Sequence, residues 1–485
     1  IPLGGAVNYD GVSDTRLDRV GVDGELHFAV DTDTKLVLDT LLTGSNSVLT
    51  IGTDQNPVQR GVSAEIVIHR DNGAIDSSAD PLQLTKGVVT HGTVRIAGQD
   101  KDDFLRADVD PQAGDTVLVF SERPTGWETG DKLVVAGTKL VGENMYQDEI
   151  VQVVAIQKLS DGRYGVSIDQ PLRYDHTAPD DFAGVDFTVP VANYTRNIRI
   201  GTETETDAYM QDCKTVPIEE RGHVMFMHND DVSVQNAEFY ELGRTDKSEI
   251  IDGETNVAGR YSLHFHRTGV EPNDEPALAK GNAIWGSPGW GIVHHDANLD
   301  VISNAVYGVN GGAIVAEAGN ETGVWSNNIT INTTGDLSRL NPVHQGSLDA
   351  PAGRQQLLND SFSQGVGYGF KSRTLETSDN VAVSSNVANS FKHIGNDDDV
   401  TDIDPSSESY EALNGYDRTL GEYDMTLSKV PLRIFDDNEA IVAHVAFNTS
   451  ANKRGTDDDV SSVVDGLVAW EVIVGVVGFY QNNYL

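Results

Sequence analysis

From residue 224 onward the sequence repeats groups of three short apolar strands, and this repeat restricts the fold more than any other feature. The first strands of the copies are 224–228 (VMFMH), 262–266 (SLHFH), 291–295 (GIVHH) and 313–317 (AIVAE). Each copy continues with a turn, a second strand, an asparagine and a third strand, and the matching asparagines are Asn236, Asn282, Asn304 and Asn328. Their spacings of 46, 22 and 24 residues predict a parallel β-helix, in which each coil stacks on the previous one. A weaker fifth copy runs from Tyr368 to a segment that starts at Asn386.

The remaining sequence also indicates an all-β chain. Period-two apolar runs separated by Gly, Asn and Asp occur throughout, and helical periodicity is scarce. Because matching positions of stacked coils lie about 4.8 Å apart, the asparagines are predicted to form an inward column that is hydrogen-bonded from coil to coil. The spacing of 46 residues predicts an inserted loop on one face, drawn from 241–259 or 268–280.

The first 145 residues contain glycine-punctuated β segments but no asparagine column. We therefore predict two units, a separate β-rich domain over 1–145 and the β-helix over 146–485. The first unit would cap the helix, because the end of a solenoid exposes unpaired strand edges.

Composition excludes several classes of function. The chain has 34 Lys and Arg against 75 Asp and Glu, a net charge of −41, which argues against binding to nucleic acid or to anionic lipid. A single cysteine, Cys213, excludes an intramolecular disulfide. The longest apolar stretch, 466–479, is short and contains Glu471, so no membrane span is predicted. We expect a monomer.

One column of the aligned strands carries ionisable side chains. Its members are His228, His266, His295 and Glu317. Imidazoles and a carboxylate at coil spacing can ligate one divalent ion, with zinc as the first choice and manganese, nickel, iron or calcium as alternatives. His264 lies two residues before His266 and shares its face. The alternative interpretation is a structural ladder of stacked rings.

Charged and polar residues follow these strands in sequence. Arg and Lys suit the carboxylate or sulfate groups of an acidic sugar chain, which makes Arg244, Arg267 and Lys371 candidates for substrate binding. Proton transfer suits His and Tyr, and hydrolysis of a glycosidic bond suits a pair of carboxylates. The candidate catalytic residues are His264, Tyr261, Arg260, Glu241 and Asp246.

Several segments resemble one protein family. They are 90–92 (THG), 126–138 (GWETGDKLVVAGT), 147–149 (QDE), 221–228 (RGHVMFMH), 241–248 (ELGRTDKS), 259–269 (GRYSLHFHRTG), 281–295 (GNAIWGSPGWGIVHH) and 317–321 (EAGNE). They resemble the eight-glycine-domain proteins, which include the cell-migration-inducing and transmembrane-protein-2 hyaluronidases and fibrocystin. The resemblance implies an N-terminal eight-glycine β domain joined to a right-handed parallel β-helix. Some members depolymerise hyaluronan outside cells, and the histidine-rich core suggests a bacterial-type homologue.

The sequence thus predicts a secreted or cell-surface enzyme that cleaves an anionic, uronate-containing polysaccharide at a metal-assisted histidine groove. Hydrolysis, as in the hyaluronidases that the chain resembles, is the first hypothesis, and β-elimination is the second. A non-catalytic glycan-binding or adhesion protein is the rival class, and a matrix scaffold without a glycan site is a third. The charge of −41 gives no support to an anionic substrate, although salt screens such repulsion beyond about 8–10 Å.

Overall fold

The computed structural model describes residues 1–70, 75, 77–182, 184–204, 216–269, 275–340, 361–391, 432–449 and 462–478. These residues form 33 β-strands and two short 3-10 helices, Ile218–Glu220 and Leu337–Leu340, without an α-helix. The prediction of an all-β chain is confirmed. In this described part of the chain, no helix has the length and apolar character that crossing a bilayer requires.

Parallel strands stack into three sheets that run the length of the molecule. Strands are numbered in chain order. Sheet 1 consists of β1 (Ala6–Tyr9), β3 (Glu25–Phe28), β5 (Val48–Ile51), β8 (Thr93–Ala97), β17 (Val232–Gln235), β20 (Ala277–Lys280), β23 (Leu299–Ile302), β26 (Gly323–Ser326), β29 (Leu375–Ser378) and β31 (Ile434–Asp436).

Sheets 2 and 3 are joined by long strands that turn the corner between them. Sheet 2 has β6 (Ala64–Ile68), β15 (Ile198–Thr202), β18 (Ala237–Tyr240), β21 (Ala283–Trp285), β24 (Ala305–Asn310) and β27 (Ile329–Thr334). Sheet 3 has β7 (Gly87–Thr90), β16 (His223–Met227), β19 (Leu263–Gly269), β22 (Ile292–Ala297), β25 (Gly312–Ala316) and β28 (Val366–Phe370). The long strands are β2 (Val12–Val22), β4 (Thr34–Thr43), β30 (Val381–Phe391), β32 (Glu439–Asn448) and β33 (Val468–Val477).

The chain visits sheets 1, 2 and 3 in turn and then starts the next coil, which makes the fold a parallel β-helix. For example, β20, β21 and β22 form one coil, and β23, β24 and β25 form the next. The interior is filled by apolar side chains of all three sheets, such as Val301 of sheet 1, Ile284 of sheet 2 and Phe265 of sheet 3, which are completely buried. The right-handed sense of the coil stays a prediction.

An asparagine ladder ties successive coils together where sheet 1 meets sheet 2. Its members are Asn282, Asn304, Asn328, Asn380 and Asn438, and each amide donates to the Oδ1 of the next member. The residue before each member has a positive φ, as in Gly281 at 66° and Ser303 at 54°. A sharp turn therefore sends each asparagine inward, where its amide satisfies backbone groups that water cannot reach.

Two of the predicted column members lie outside this ladder. Asn236 itself has a φ of 53°, so it occupies the turn, and Ala237 takes the inward place and donates its N–H to Asn282 Oδ1 (3.0 Å). Asn386 lies within β30, at the corner between sheets 2 and 3, where its amide donates to Gln364 O (2.8 Å). The ladder continues instead through Asn380 and Asn438.

The N-terminal strands are coils of the same helix, which differs from the predicted division at residue 145. Sheet 1 runs without a break from β1 through β8 to β17, and β7 pairs in parallel with β16. The separate unit is an inserted antiparallel sheet between β8 and β15. Its strands are β9 (Phe104–Arg106), β10 (Val117–Phe120), β11 (Lys132–Val135), β12 (Glu149–Lys158), β13 (Tyr164–Ile168) and β14 (Pro190–Asn193).

This inserted sheet has its own apolar core around Trp127 and Phe120, and it contacts later coils. Ser384 donates to Asp148 Oδ1 (2.7 Å), and the Tyr146 hydroxyl donates to Asn386 Oδ1 (3.1 Å). The boundary predicted after residue 145 falls inside this insertion, between β11 and β12. The sequence does not reveal this insertion, because a stretch that lacks the repeat is equally compatible with a separate leading domain.

Candidate functional site

Strands β19, β22 and β25 bring three of the predicted metal ligands onto consecutive coils of sheet 3. His266 pairs directly with His295, and His294 pairs with Ala316. Glu317 therefore lies opposite His295, and its N–H donates to His294 O (2.9 Å). The repeat alignment places these three side chains in one row because the three aligned strand segments contain no extra residue.

His264 completes a compact cluster with His266 and His295. Each of the three can offer one ring nitrogen such that the nitrogens lie within 4.8 Å of one another. The ring of His264 is 5.0 Å from that of His266 and 5.7 Å from that of His295, and the latter two are 4.6 Å apart between centroids. Among the described residues this is the one group with a metal-binding arrangement of His, Cys, Asp or Glu.

The electrostatics of the cluster favour neutral imidazoles at His264 and His266, each with an available nitrogen. Burial lowers the pKa of His264 to about 3 and that of His266 to about 4, and the neighbouring imidazoles add to both shifts. His264 Nδ1 is bonded to Gly259 O (3.0 Å), which turns Nε2 toward the other two rings. His264 Nε2 and His266 Nδ1 are buried and have no hydrogen-bond partner in the described part of the chain. Such orphaned nitrogens fit a divalent ion better than a structural ring ladder.

Glu317 holds His295 by a short ionic contact. His295 Nδ1 lies 2.9 Å from Glu317 Oε2, and His264 Nε2 lies 3.9 Å from the same oxygen. Burial alone would raise the pKa of Glu317, but His295, His264 and Lys371 together lower it to about 2. Burial also lowers the pKa of His295, and the contact with Glu317 reverses this into a net rise. A carboxylate on the second ring nitrogen orients a metal-binding histidine and makes it more basic.

His228 does not lie in the row with His266, which corrects the predicted column. Met227 pairs with His266, so His228 lies one residue further on, exposed and with a φ of 55°. Arg267 and Asp296 have φ values of 53° and 52° at the same place on the next two coils. The strand end therefore turns His228 away, and its ring is 6.1 Å from that of His266.

Lys371 and Arg267 flank the cluster as the sequence predicted. Ala316 pairs with Phe370, so Lys371 follows Glu317 on the next coil, and its N–H donates to Ala316 O (3.1 Å). Arg267 keeps 60% of its side chain exposed, and its Nε lies 3.8 Å from Asp296 Oδ2. Lys371 also contributes to the lowered pKa of Glu317, and the substrate-binding role of both cations stays a prediction.

Arg244 and Arg260 donate hydrogen bonds to backbone carbonyls instead of facing the cluster. Arg244 is buried and donates from its two terminal nitrogens to the carbonyls of Gln83, Thr85, Lys86 and Arg221. Arg260 donates to the carbonyls of Leu82, Gln83 and Ala258. Both line a cavity of about 590 Å³ together with Asp246. The predictions that Arg244 binds substrate and that Arg260 is catalytic find no geometric support at the histidine cluster.

The two predicted acids also have structural surroundings. Glu241 is buried in an ion pair with Arg221, and both side chains are 1% exposed. Asp246 accepts hydrogen bonds from the N–H (2.8 Å) and hydroxyl (2.6 Å) of Ser248 and so fixes its own loop. A pair of hydrolytic carboxylates at the cluster is therefore not formed by Glu241 and Asp246.

Tyr261 lies behind the cluster. Its ring stacks on Trp290 at 4.8 Å and contacts His264 at 5.4 Å, and it is 1% exposed. Lys247 lies over Trp290 at 3.7 Å from the ring centroid. This buried stack positions His264 and keeps Tyr261 away from a substrate on the surface.

His91 is a neighbour that the sequence analysis did not assign to the site. Phe226 pairs with Thr90, so His91 lies beside Met227, and its ring is 5.5 Å from that of His228. The signal in the sequence is the short segment 90–92 (THG). It could not be placed because β7 and β16 are separated by the inserted sheet.

Comparison with known proteins gives two matches to family models. A model described as the CEMIP beta-helix matches residues 220–443, and a model described as the G8 domain matches residues 1–106. The first range contains the histidine cluster, Glu317 and Lys371. The second covers the N-terminal coils and ends at β9.

Curated relatives are similar over part of the chain. Three G8 domain-containing proteins of Dictyostelium discoideum are 22%, 25% and 24% identical over 324, 210 and 237 residues. These matches cover 65%, 43% and 48% of this chain but 20%, 16% and 14% of the relatives, so the chain spans a fifth or less of their length. These relatives come from Dictyostelium, whereas the sequence suggested a bacterial-type homologue.

Three solved phage tailspikes are also similar, each at 10% identity. They come from Pseudomonas phages phi297 and LKA1 and from Acinetobacter baumannii bacteriophage AP22, the last in complex with a capsular saccharide. The matches cover 91%, 98% and 95% of this chain and 71%, 74% and 68% of the tailspikes, with TM-scores of 0.20, 0.19 and 0.17. At these scores the likeness carries no conclusion.

Proposed function

We propose that this chain, which matches the G8 domain model over residues 1–106 and the CEMIP beta-helix model over residues 220–443, depolymerises an anionic polysaccharide at the cluster of His264, His266 and His295. The observation that carries the proposal is the set of three ring nitrogens within 4.8 Å of one another, two of them buried without a partner. Two buried imidazole nitrogens without a partner are unfavourable unless a ligand satisfies them.

The three histidines would hold a divalent ion, with zinc favoured by the all-imidazole donor set. The metal, when bound, supplies a Lewis acid for a glycan oxygen or for a water molecule. Glu317 would fix the orientation of His295 through the contact to Nδ1. The assignment of His264 changes with the structure from proton transfer to metal binding, because its free nitrogen points into the cluster.

Cations beside the cluster would bind the carboxylates of an acidic substrate. Lys371 lies one coil beyond Glu317, and Arg267 follows His266 directly, so a uronate carboxylate can approach from either side. Both side chains reach the surface of a protein whose net charge is −41, and salt screens the distant acids more than these close contacts. We place the activity outside the cell, where such polysaccharides are found.

Glycosidic hydrolysis is the proposed reaction, and β-elimination is the second candidate. Elimination is favoured by a cation that neutralises the uronate carboxylate, and Lys371 and Arg267 are placed for that role. The two reactions give different products, because elimination leaves a double bond that absorbs ultraviolet light. Chain shortening without new absorbance would select hydrolysis.

The test compares His266→Ala with the control His27→Ala. His27 lies in sheet 1, 2.9 Å from Glu25 and away from the cluster. Both purified variants and the parent chain are analysed for bound metal and for the size distribution of hyaluronan and other uronate polymers after incubation. We expect His266→Ala to lose metal and depolymerisation with its fold kept, and His27→Ala to retain both. Full turnover by His266→Ala would refute the site. Glycan binding without shortening by the metal-loaded parent chain would favour the non-catalytic rival.

A further inference from the structure

His91 and His228 form a second pair of imidazoles on the same face of the helix, outside the metal cluster. Their ring centroids are 5.5 Å apart and their planes are tilted by 30° to each other. His228 is exposed and His91 is half-buried. No described residue forms a hydrogen bond with the nitrogens of either ring.

This pair lies on the coils that precede the metal cluster. His91 is on the coil of β7, two coils from His266, which corresponds to about 9–10 Å along the axis at the usual strand spacing. The ring nitrogens that lie within 4.8 Å of one another belong to His264, His266 and His295, and neither His91 nor His228 is part of that group. His228 bridges the interval, since its ring is 6.1 Å from that of His266.

The backbone around His91 is held firmly, so the position of its ring is set in advance. Its N–H donates to Thr43 Oγ1 (3.2 Å), and its carbonyl accepts from Asn229 Nδ2 (3.4 Å). Gly92 permits this close packing, because a Cβ there would meet Ser47 O at 2.3 Å. Binding residues that are fixed before the ligand arrives lose less conformational entropy when they bind it.

The backbone at His228 makes the left-handed turn that ends this strand, with a φ of 55°. The same turn recurs at Arg267 and Asp296 on the next two coils, so it is a regular feature of this corner of the helix. The turn directs the imidazole of His228 outward, beside His91 and before the exposed Arg267.

From these contacts we propose that His91 and His228 form a sugar-binding subsite on the two coils that precede the metal cluster. The inference rests on the proposed function and adds the direction of the substrate, which would lie along the helix axis from His91 past His266 toward Lys371. The ligand class is an acidic polysaccharide that occupies several sugar positions at once. Each neutral imidazole offers one donor and one acceptor to sugar hydroxyl groups, and the ring faces can pack against the C–H face of a sugar.

The subsite predicts that the contribution of the pair depends on substrate length. A disaccharide centred on the cluster would not reach His91, whereas a decasaccharide would. Removing the pair should therefore weaken the binding of long chains about tenfold, the ratio that corresponds to one or two lost hydrogen bonds. Short chains and bound metal should be unaffected.

The experiment uses the full chain and the double variant His91→Ala/His228→Ala, with His27→Ala as the control. Calorimetric titration with hyaluronan disaccharide and decasaccharide gives the two dissociation constants, and elemental analysis gives the metal content. We expect a tenfold weaker decasaccharide affinity in the double variant, an unchanged disaccharide affinity and full metal content.

Three results would overturn the subsite, and they are distinguishable. Unchanged decasaccharide affinity in the double variant would refute the subsite and leave the proposed function intact. Loss of metal in the double variant would assign the pair to the metal centre. Absence of oligosaccharide binding by the metal-loaded parent chain would overturn both proposals. Circular dichroism and thermal melting of each variant separate these results from misfolding.

Discussion

Asn304 lies in the middle of the asparagine ladder, and replacing it with alanine tests how coil registry is maintained. Its Nδ2 donates to Ala279 O (2.9 Å), Ile302 O (3.1 Å) and Asn328 Oδ1 (2.9 Å), and its Oδ1 accepts from the backbone N–H and the amide of Asn282 (both 3.0 Å). Asn304 is completely buried, so water cannot replace these bonds.

Five lost hydrogen bonds at a net value of about 1 kcal/mol each, reduced for partners that relax together, give an expected loss of about 3–5 kcal/mol. The position also bears on the site. Asn282 begins the coil that carries His295, and Asn304 begins the coil that carries Glu317. Loosening the ladder between these two coils should therefore disturb the contact between His295 and Glu317 as well as the stability.

Urea unfolding and native-state hydrogen exchange are the assays. The matched control is Asn327→Gly, which removes one exposed amide bond to Ser303 Oγ (2.9 Å) at a turn where φ is 54°, a conformation that glycine tolerates. We expect a lower urea midpoint and faster exchange of the Asn282 amide in Asn304→Ala, and a change within about 1 kcal/mol in the control. Equal midpoints and equal protection of that amide in both variants would refute the reasoning.

Three further outcomes are expected. Asp103 is buried, and its Oδ2 has no hydrogen-bond partner among the described residues. Burial raises its pKa to about 7. Because the folded-state pKa lies above the unfolded value, the free energy of unfolding should fall as pH rises from about 4 to 7. Asp103→Asn should therefore stabilise the protein at pH 8 by up to about 4 kcal/mol and have little effect at pH 4. Equal gains at both pH values in denaturant melts would contradict this. Gly87→Ala should lower the free energy of unfolding by more than about 2 kcal/mol, since a Cβ there would lie 2.4 Å from His223 O and 2.6 Å from its Nδ1. Gly475→Ala, with open space around it, is the control. Equal melting temperatures of the two variants would contradict the close packing at Gly87. Zinc at a hundredfold excess over its dissociation constant should stabilise the metal-free chain by about 2.7 kcal/mol but not His266→Ala, and an equal thermal shift in both would place the ion elsewhere.

The order of the strands and most of the histidine row could be predicted from the sequence. The segments that begin at Ser262, Gly291 and Ala313 align residue by residue without an extra residue inside a strand. Counting residues along them therefore gives the same register as the hydrogen bonds do. His266, His295, Glu317 and Lys371 are therefore aligned in the sequence as they are in the fold.

Errors of one residue arose where a left-handed residue ends a strand. His228 and Asn236 both have a positive φ, and each was assigned to the inward or ligand position of its neighbour. A residue with positive φ turns the chain at the end of the strand, so an alignment that counts it as a strand residue is wrong by one position. The type of side chain does not reveal this. Histidine and asparagine also occur within the strands of this chain, as His264 and Asn386 do, so the residue type alone does not distinguish the two positions.

The roles of the charged residues depended on burial. Arg244 and Arg260 looked like ligands for an acidic substrate because they stand beside the histidines in sequence. Their guanidinium groups instead satisfy backbone carbonyls of the loop around Gln83, more than a hundred residues earlier. Only the folded chain shows whether a cation faces a carbonyl or the solvent.

By itself the sequence determined that this protein is an all-β solenoid with imidazoles on successive coils, because local periodicity and equal spacing are properties of neighbouring residues. The tertiary structure decided that the N-terminal strands belong to the same solenoid, that the sheet between β8 and β15 is inserted, and that His264 joins the cluster while His228 turns toward His91. These features depend on pairing between strands that are far apart in the chain. Such pairing is fixed by hydrogen bonds and packing across the helix, which the order of the residues does not record.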